Sequence, residues 1–265
     1  MSPSNLHLNY DPIAPQYDGR YRANPLAGVE QALVQLGQML QAERFLEVGC
    51  GTGRWLHGLA AHFPKAQLYG LDASQGMLLQ AWERHSGLGL IQGKAGHLPL
   101  PSQQFDLIFC VNALHHFDDS VGFIQQARRL LRPAGQLAII GQVPHDRRNR
   151  WYVYDYFEGT FERDLQRFPT WEKVTNWMVA AEFQSIRLEA IEWISDDKVG
   201  PDVLEDPFLQ KEATSQLALL SNQAYAAGIA KIKAALEAAK ARGETLRFPA
   251  QLRLDMLAGS ATKEA

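Results

Sequence analysis

Between residues 47 and 53 the chain reads Glu47-Val48-Gly49-Cys50-Gly51-Thr52-Gly53, with glycines at alternate positions, after the short apolar run Phe45, Leu46, Val48 and before a helical pattern from Trp55 to His62. Glycine enters left-handed backbone without steric cost and lets another group approach the main chain closely. A turn of this kind from strand to helix leaves the first helical N–H groups facing whatever sits over the loop. The dinucleotide fingerprint GxGxxG would require its third glycine at position 54, which is Arg54. NAD and FAD are therefore disfavoured, and the loop asks for a different ligand on the same kind of strand–turn–helix unit.

The loop opens an alternation of strands and helices. Leu68 to Leu71 reads as a strand, Ser74 as the cap of a helix from about Gly76 to Arg84, and Leu88 to Gln92 as a third strand. Phe105 to Val111, apolar except for Asp106, reads as a strand buried on both faces. A helix from Phe123 to Leu131 is stopped by Pro133 and Gly135, and Leu137 to Ile140 is the fifth strand. Such alternation predicts an α/β, doubly wound, mostly parallel Rossmann-like sheet.

The flanks differ in character. Residues 1–24 are polar and aromatic, with Pro3, Pro12 and Pro15, which suits an arm or lid better than a regular element. Leu26, Val29, Leu33, Leu36 and Leu40 then recur at helical spacing. After Gly141 the rhythm breaks: residues 144–170 are rich in arginine and aromatics, a helix is expected from Trp171 to Ala181, and Phe183 to Ile194 reads as one long strand. Two helical patterns occupy 207–242, the second placing Ile229, Ile232 and Leu236 opposite Lys231, Lys233 and Lys240, and Gln251 to Leu257 closes as a strand. The expected division is an arm over 1–24, a core over 25–194 and 245–265, and a helical cap inserted at 195–244.

Asp72 ends the second strand about 20 residues past the loop, where a carboxylate accepts hydrogen bonds from both hydroxyls of a ribose. That implies a nucleoside-containing ligand; the alternative is that Asp72 merely caps the helix after Ser74. Charge narrows the partner. A net charge of -3 and a pI near 6.2 lack the broad basic field of a phosphate-backbone binder, so no nucleic acid is expected. Neither an apolar run near the roughly 18 residues of a spanning helix nor a basic and hydrophobic leader pattern is found, so the expectation is a cytoplasmic protein with no membrane partner. Cys50 and Cys110 are too few for a disulfide framework or, alone, a zinc site, and no metal is expected.

EVGCGTG, the LD ending at Asp72, GKAGHLPLPSQQFDLIFCVNALHHF and ARRLLRPAGQLAII, taken in order, resemble the successive motifs of the class I S-adenosylmethionine-dependent methyltransferases, and most of all their small-molecule branch that includes quinone-biosynthesis enzymes. The resemblance covers roughly residues 10–141. It implies a seven-stranded sheet, with S-adenosylmethionine as cofactor. Glu47, Gly49, Cys50 and Gly51 would surround its amino acid part, Asp72 its ribose, Ala73 and Met77 its adenine, the backbone near Ala95 and Gly96 the adenine edge, and Asn112 its methionine end. Many members carry an acid where this chain has Lys94, which cannot accept a hydrogen bond from an adenine amino group. The arm YDPIAPQYDGRYRANP is similar to the segment that folds over the cofactor, with Tyr17 near the methionine portion and Arg22 paired with its carboxylate.

Methyl transfer from a sulfonium needs alignment and exclusion of water, and a base only where the acceptor must lose a proton. His115 and His116 follow the fourth strand at the rim where such folds place ligands, and one of them is the expected base. Arg147, Arg148 and Arg150, interleaved with Trp151, Tyr152, Tyr154, Tyr156 and Phe157, form either a site for an acidic or aromatic molecule or a solvated loop. Leu217, Leu219, Leu220 and Tyr225 offer an apolar wall. The expected activity is methyl transfer to a small-molecule acceptor, against two alternatives: an RNA or nucleic-acid methyltransferase, and a non-catalytic S-adenosylmethionine-binding protein.

Overall fold

A computed structural model describes residues 10–21, 25–146 and 148–261. Three-ten turns cover Asp11–Tyr21, a regular element where the prolines predict an irregular arm, and α1 (Ala27–Met39) follows. The alternation then runs β1 (Arg44–Val48), α2 (Arg54–His62), β2 (Gln67–Asp72), α3 (Gln75–Arg84), β3 (Gly89–Gln92), β4 (Phe105–Val111), α4 (Ser120–Leu130) and β5 (Leu131–Gly141). β5 starts six residues earlier than the apolar run suggests. Leu131 already pairs with Phe105, and the strand absorbs the bend around Pro133 through a register shift, with Ala134 at φ 64°.

The remaining elements are β6 (Arg150–Trp151), α5 (Tyr152–Tyr156), α6 (Thr160–Arg167), α7 (Trp171–Ala180), β7 (Gln184–Ser195), β8 (Lys198–Val199), α8 (Ser215–Ala218), α9 (Asn222–Ala241), β9 (Arg247–Phe248) and β10 (Ala250–Ser260). The sheet runs β3-β2-β1-β4-β5-β10, with β7 on the far edge of β10. β1 to β5 are mutually parallel and β10 is antiparallel to both neighbours, which makes seven strands; the two-residue β6 pairs with the start of β10 as an eighth.

Alternation along the strands divides the core. Phe45, Leu107 and Phe109 face α1, α2 and α3, whereas Leu46, Ile108 and Cys110 face α4 and α7. Each fully buried large apolar side chain of this kind contributes about 1.5–3 kcal/mol, so both layers are fixed by burial. A third cluster stands apart: Trp151, Tyr152, Val153 and Phe157 pack with Val203, Leu209, Leu217, Leu220, Ile232 and Phe248. Residues of α5 thus share one core with the segment after β8. The chain winds outward from β1 to β3 and then in the other direction from β4 to β5, so the crevice beyond the carboxyl ends of β1 and β4 is the topological switch point at which open α/β sheets bind ligands.

Candidate active site

Beyond β1 the chain turns through Gly49 at φ 74° and Gly51 at φ 53°. A Cβ on Gly49 would stand 2.6 Å from the Cβ of Ala113, so the loop lies directly against the segment after β4. A Cβ on Gly51 would meet no atom within 4 Å, because that face of the glycine opens on a cavity of about 690 Å³. Asp72, on the opposite side, accepts the Gly51 N–H at 2.8 Å through Oδ2 and the Ser74 N–H at 2.9 Å through Oδ1. Burial raises its pKa and these two donors oppose the rise. The helix cap is Ser74, whose Oγ accepts the Met77 N–H at 3.1 Å, so Asp72 is held by the loop rather than spent on capping α3.

Gly49, Gly51, Asp72, Ala73, Met77, Ala95 and Asn112 line this cavity together with Tyr17, His115 and His116. Asn112 sits in left-handed backbone at φ 50°, which asparagine tolerates, and its N–H donates to Ile140 O at 2.8 Å. Three expected residues lie off the wall. Glu47 is 1% exposed within β1, its Oε2 lacks a hydrogen-bond partner, and burial followed by the Asp72 charge pushes its pKa well above the ordinary carboxylate range. Cys50 donates its N–H to Leu71 O and packs its side chain into the core toward Gly70, where an added Cβ would meet Sγ at 2.7 Å. Gly96 is set against Asp119 instead. Arg22 lies outside the described residues.

The arm closes one side. Asp11 accepts from Ser74 Oγ at 2.5 Å and Gly76 N–H at 2.9 Å, and these hydrogen bonds lower its pKa; Asp18 accepts from Thr52 Oγ1 at 2.8 Å and pairs with Arg84. Tyr10 and Tyr17 pack edge to face over the cavity, ring centroids 6.0 Å apart. A second chamber of about 140 Å³ adjoins the first and shares Tyr10, Tyr17, Asn112, His115 and His116 with it. Its other walls combine apolar residues, including Leu26, Trp151, Phe168, Phe208, Leu252 and Leu254, with polar ones that include Asp196, Asp206 and Gln216. At the junction His116 Nε2 lies 3.1 Å from Tyr10 OH, a hydrogen bond whose direction follows the imidazole tautomer. His115 stacks on Phe168 at 3.8 Å; burial, then His116 and Arg167, drive its pKa well below that of a free imidazole and keep it neutral.

Residues 46–139 match the family model described as a methyltransferase domain. A malonyl-[acyl-carrier protein] O-methyltransferase of Hahella chejuensis is 30% identical over 58% of this chain and 57% of its own length. A demethylmenaquinone methyltransferase of Listeria monocytogenes is 29% identical over 51% of this chain and 61% of its own length. A solved structure of a putative antibiotic-pathway methyltransferase from Anabaena variabilis superposes with a TM-score of 0.66 at 21% identity, covering 86% of this chain and 96% of that one. Residues 46–139 therefore resemble a methyltransferase domain, and the chain shares its fold with the solved structure. The chain spans less than two thirds of the length of these curated relatives, and their matches to it end at 58% of its own residues or fewer.

The residues of the cavity fit an S-adenosylmethionine-type cofactor by their own geometry. Gly51 leaves a cradle that any side chain would fill, a carboxylate held by two N–H groups stands across from it, and a buried carboxyl oxygen without a partner lies beneath, next to Asp72. Asp118 and part of α6 also stand on the wall and were not singled out by sequence. Lys94 pairs with Asp118 at 3.0 Å, so an acid does reach this part of the wall, from the far side of the His-His turn. Arg163, Gln166 and Arg167 of α6 form another part. The arginine-rich stretch that sequence does flag is used otherwise: Arg148 is bound to Asp146 at 2.8 Å, and Arg147 lies outside the described residues. Leu219 reaches the cavity, whereas Leu217 and Leu220 are core residues of the third cluster and Tyr225 donates to Leu209 O at 2.9 Å. Among the described residues no group of His, Cys, Asp or Glu is placed to hold a metal ion, and no helix is long and apolar enough to cross a membrane.

Proposed function

We propose that this chain is an enzyme that transfers a methyl group from S-adenosylmethionine to a small-molecule acceptor held in the second chamber. The observation that carries the reading is the pair of connected chambers: one lined by the glycine loop and Asp72, the other by apolar side chains together with polar ones such as Asp206 and Gln216, meeting at Tyr10, Tyr17, Asn112, His115 and His116. The cofactor supplies a methyl group on a sulfonium whose departing sulfur is neutral. The chain's task is then alignment and dryness. Gly49 and Gly51 would receive the amino acid part, Asp72 the ribose hydroxyls, and Ala73, Met77 and Ala95 the base, with Asp118 supplying an acceptor in place of the acid missing at Lys94. Tyr10 and Tyr17 would exclude water from the junction.

Of the two histidines, His116 is the one bonded to the arm and set at the junction as a polar contact for the acceptor, while neutral His115 packs against Phe168 and shapes the wall. The cap over the acceptor would comprise 150–168 as well as 195–244, since their apolar residues form one cluster. Calorimetric titration of the purified chain with S-adenosylhomocysteine and with NADH tests the cofactor half: binding of the former alone is expected, and binding of NADH alone overturns it. Turnover stimulated by RNA with a steep salt dependence would overturn the small-molecule half.

A further inference from the structure

α6 places Arg163, Gln166 and Arg167 on the wall of the larger cavity. Residues four apart share one helix face, so the two guanidiniums emerge side by side. Arg167 is anchored: Nη1 lies 3.3 Å from Oδ1 of Asp164, which is completely buried and is fixed in turn by the hydroxyl of Tyr154 at 2.8 Å and the amide of Gln216 at 2.5 Å. Its charge acts on Tyr10 and on His115, the residues at the junction of the chambers. Arg163 is different, because its Nη1 is buried and has no hydrogen-bond partner. One carboxylate therefore faces two guanidiniums. Elsewhere on the wall Lys94 pairs with Asp118 at 3.0 Å, and Asp11 and Asp72 each accept hydrogen bonds from the protein. A buried N–H of a charged group is costly to leave unmade, and a ligand oxygen would satisfy it.

Resting on the methyl-transfer reading above, we propose that the acceptor is a carboxylic acid, its carboxylate received by Arg163 and Arg167 on the wall of the larger cavity, beside the junction, and its apolar remainder reaching into the second chamber. Guanidinium forks match carboxylate geometry, which a point charge does not. The step balances without a base: a carboxylate oxygen lone pair forms the new O–C bond to the methyl group, the C–S bond breaks with its electron pair going to sulfur, and a neutral methyl ester leaves with no proton moved. At neutral pH a carboxylic acid with a pKa near 4 is already ionised. The apolar walls of Phe168, Leu252 and Leu254 then favour a hydrocarbon body behind the anionic head.

The test titrates the full chain, loaded with S-adenosylhomocysteine, with hexanoate and benzoate and with the matched probes hexylamine and hexanol, and follows methyl ester formation from S-adenosylmethionine by mass. Expected are saturable carboxylate binding, at least about tenfold weaker binding of amine and alcohol, and a loss of about tenfold or more in Arg163→Gln, partly restored in Arg163→Lys, as charged hydrogen bonds warrant. Affinity for S-adenosylhomocysteine stays within about twofold. Arg167→Gln should act alike, but it strips Asp164 of its cation. If that variant unfolds, Arg163→Gln decides the question alone, because the Nη1 it removes bonds nothing in the fold. Absence of carboxylate binding, preference for hexylamine or hexanol, or unchanged binding in Arg163→Gln overturns the proposal. So does weakened S-adenosylhomocysteine binding in Arg163→Gln, which would give the guanidinium to the cofactor. Failure of the wild-type chain to bind S-adenosylhomocysteine at all is the separate failure of the underlying reading.

Discussion

The proposed cofactor wall is built around the turns at the ends of β1, β2 and β4, whereas the proposed acceptor wall is made of residues contributed by segments far apart in sequence. In the first, two glycines in left-handed backbone and one carboxylate with two N–H donors leave little that can vary without breaking a turn. In the second, Trp151 and Phe168 precede β7, and Phe208, Leu252 and Leu254 follow β8. What the difference teaches is that one wall is specified by backbone sterics and the other by packing, and packing tolerates exchange of volume for volume. A fold of this kind keeps its cofactor while its acceptor changes.

The harshest way to break the comparison is to alter the backbone wall. Gly49→Val must adopt φ 74° and place its Cβ 2.6 Å from that of Ala113. Strained backbone of this sort costs about 1–3 kcal/mol before the clash is counted, so the melting temperature should fall and S-adenosylhomocysteine affinity should drop by more than about 100-fold in calorimetry. Asp72→Ala removes a charged acceptor and orphans the Gly51 and Ser74 N–H groups. A loss of about 10- to 100-fold in the same titration is expected from charged hydrogen bonds, with hexanoate binding to whatever complex still forms unchanged.

The cap should answer in the opposite sense. A Cβ on Gly228 of α9 would stand 2.2 Å from the ring of Phe157. Gly228→Ala overpacks the third cluster, and thermal unfolding should show a loss of about 1–3 kcal/mol. Acceptor turnover should fall with it while S-adenosylhomocysteine affinity holds within about twofold. Equal losses on both ligands would mean that the two walls are one cooperative body.

The same contrast decides what a reader of the sequence finds. The glycine loop, Asp72 and Asn112 are legible because each acts within a few residues of a strand end, where local sterics fix the outcome: Gly49 is needed whatever lies beyond it. The histidine turn was legible as a pair but not as individuals, since only the stacking of His115 on Phe168 and the contact of His116 with Tyr10 separate them. Arg163 and Arg167 were missed because charge density in sequence pointed to Arg147, Arg148 and Arg150. Neutralisation is local in part: Asp146 holds Arg148, two residues away, at 2.8 Å as well as the distant Arg253 at 3.0 Å. The one signal available was the spacing Arg163-Asp164-x-x-Arg167, with more positive than negative charge on a single helical turn. The partnership of α5 with the segment after β8 was equally out of reach, because aromatic residues in a loop look alike whether they cover a core or form one.

Beneath the backbone wall, Glu47 gives the comparison a pH axis. Its folded pKa is raised, chiefly by burial, so the folded chain holds a proton that the unfolded chain releases near the ordinary glutamate value of about 4.3. Folded molecules then carry more bound protons, and stability falls as pH rises from that value up to the folded pKa, by at most about 1.4 kcal/mol per pH unit. Glu47→Gln removes the titration, so the cofactor-free variant should gain on the wild type as pH is raised from about 4 to 7 in thermal unfolding. A constant difference across that range would show that Glu47 ionises freely and that the wall is wetter than its burial indicates.

His116 offers the smallest effect and the sharpest division between the two halves. If the acceptor arrives as a carboxylate, His116→Asn removes one hydrogen bond at the junction and a fraction of the alignment, and kcat should fall by about tenfold or less, with no change in the pH profile near the imidazole range. If the acceptor must instead surrender a proton to this ring, general-base catalysis is lost and the fall is about 10²–10⁴-fold. His115→Asn serves as the companion: it loses the stack on Phe168 and loosens the wall, so KM for hexanoate should rise more than kcat falls. A large kcat loss confined to His116, together with carboxylate binding that ignores Arg163, would place the acceptor's chemistry on the histidine turn and leave α6 as packing alone.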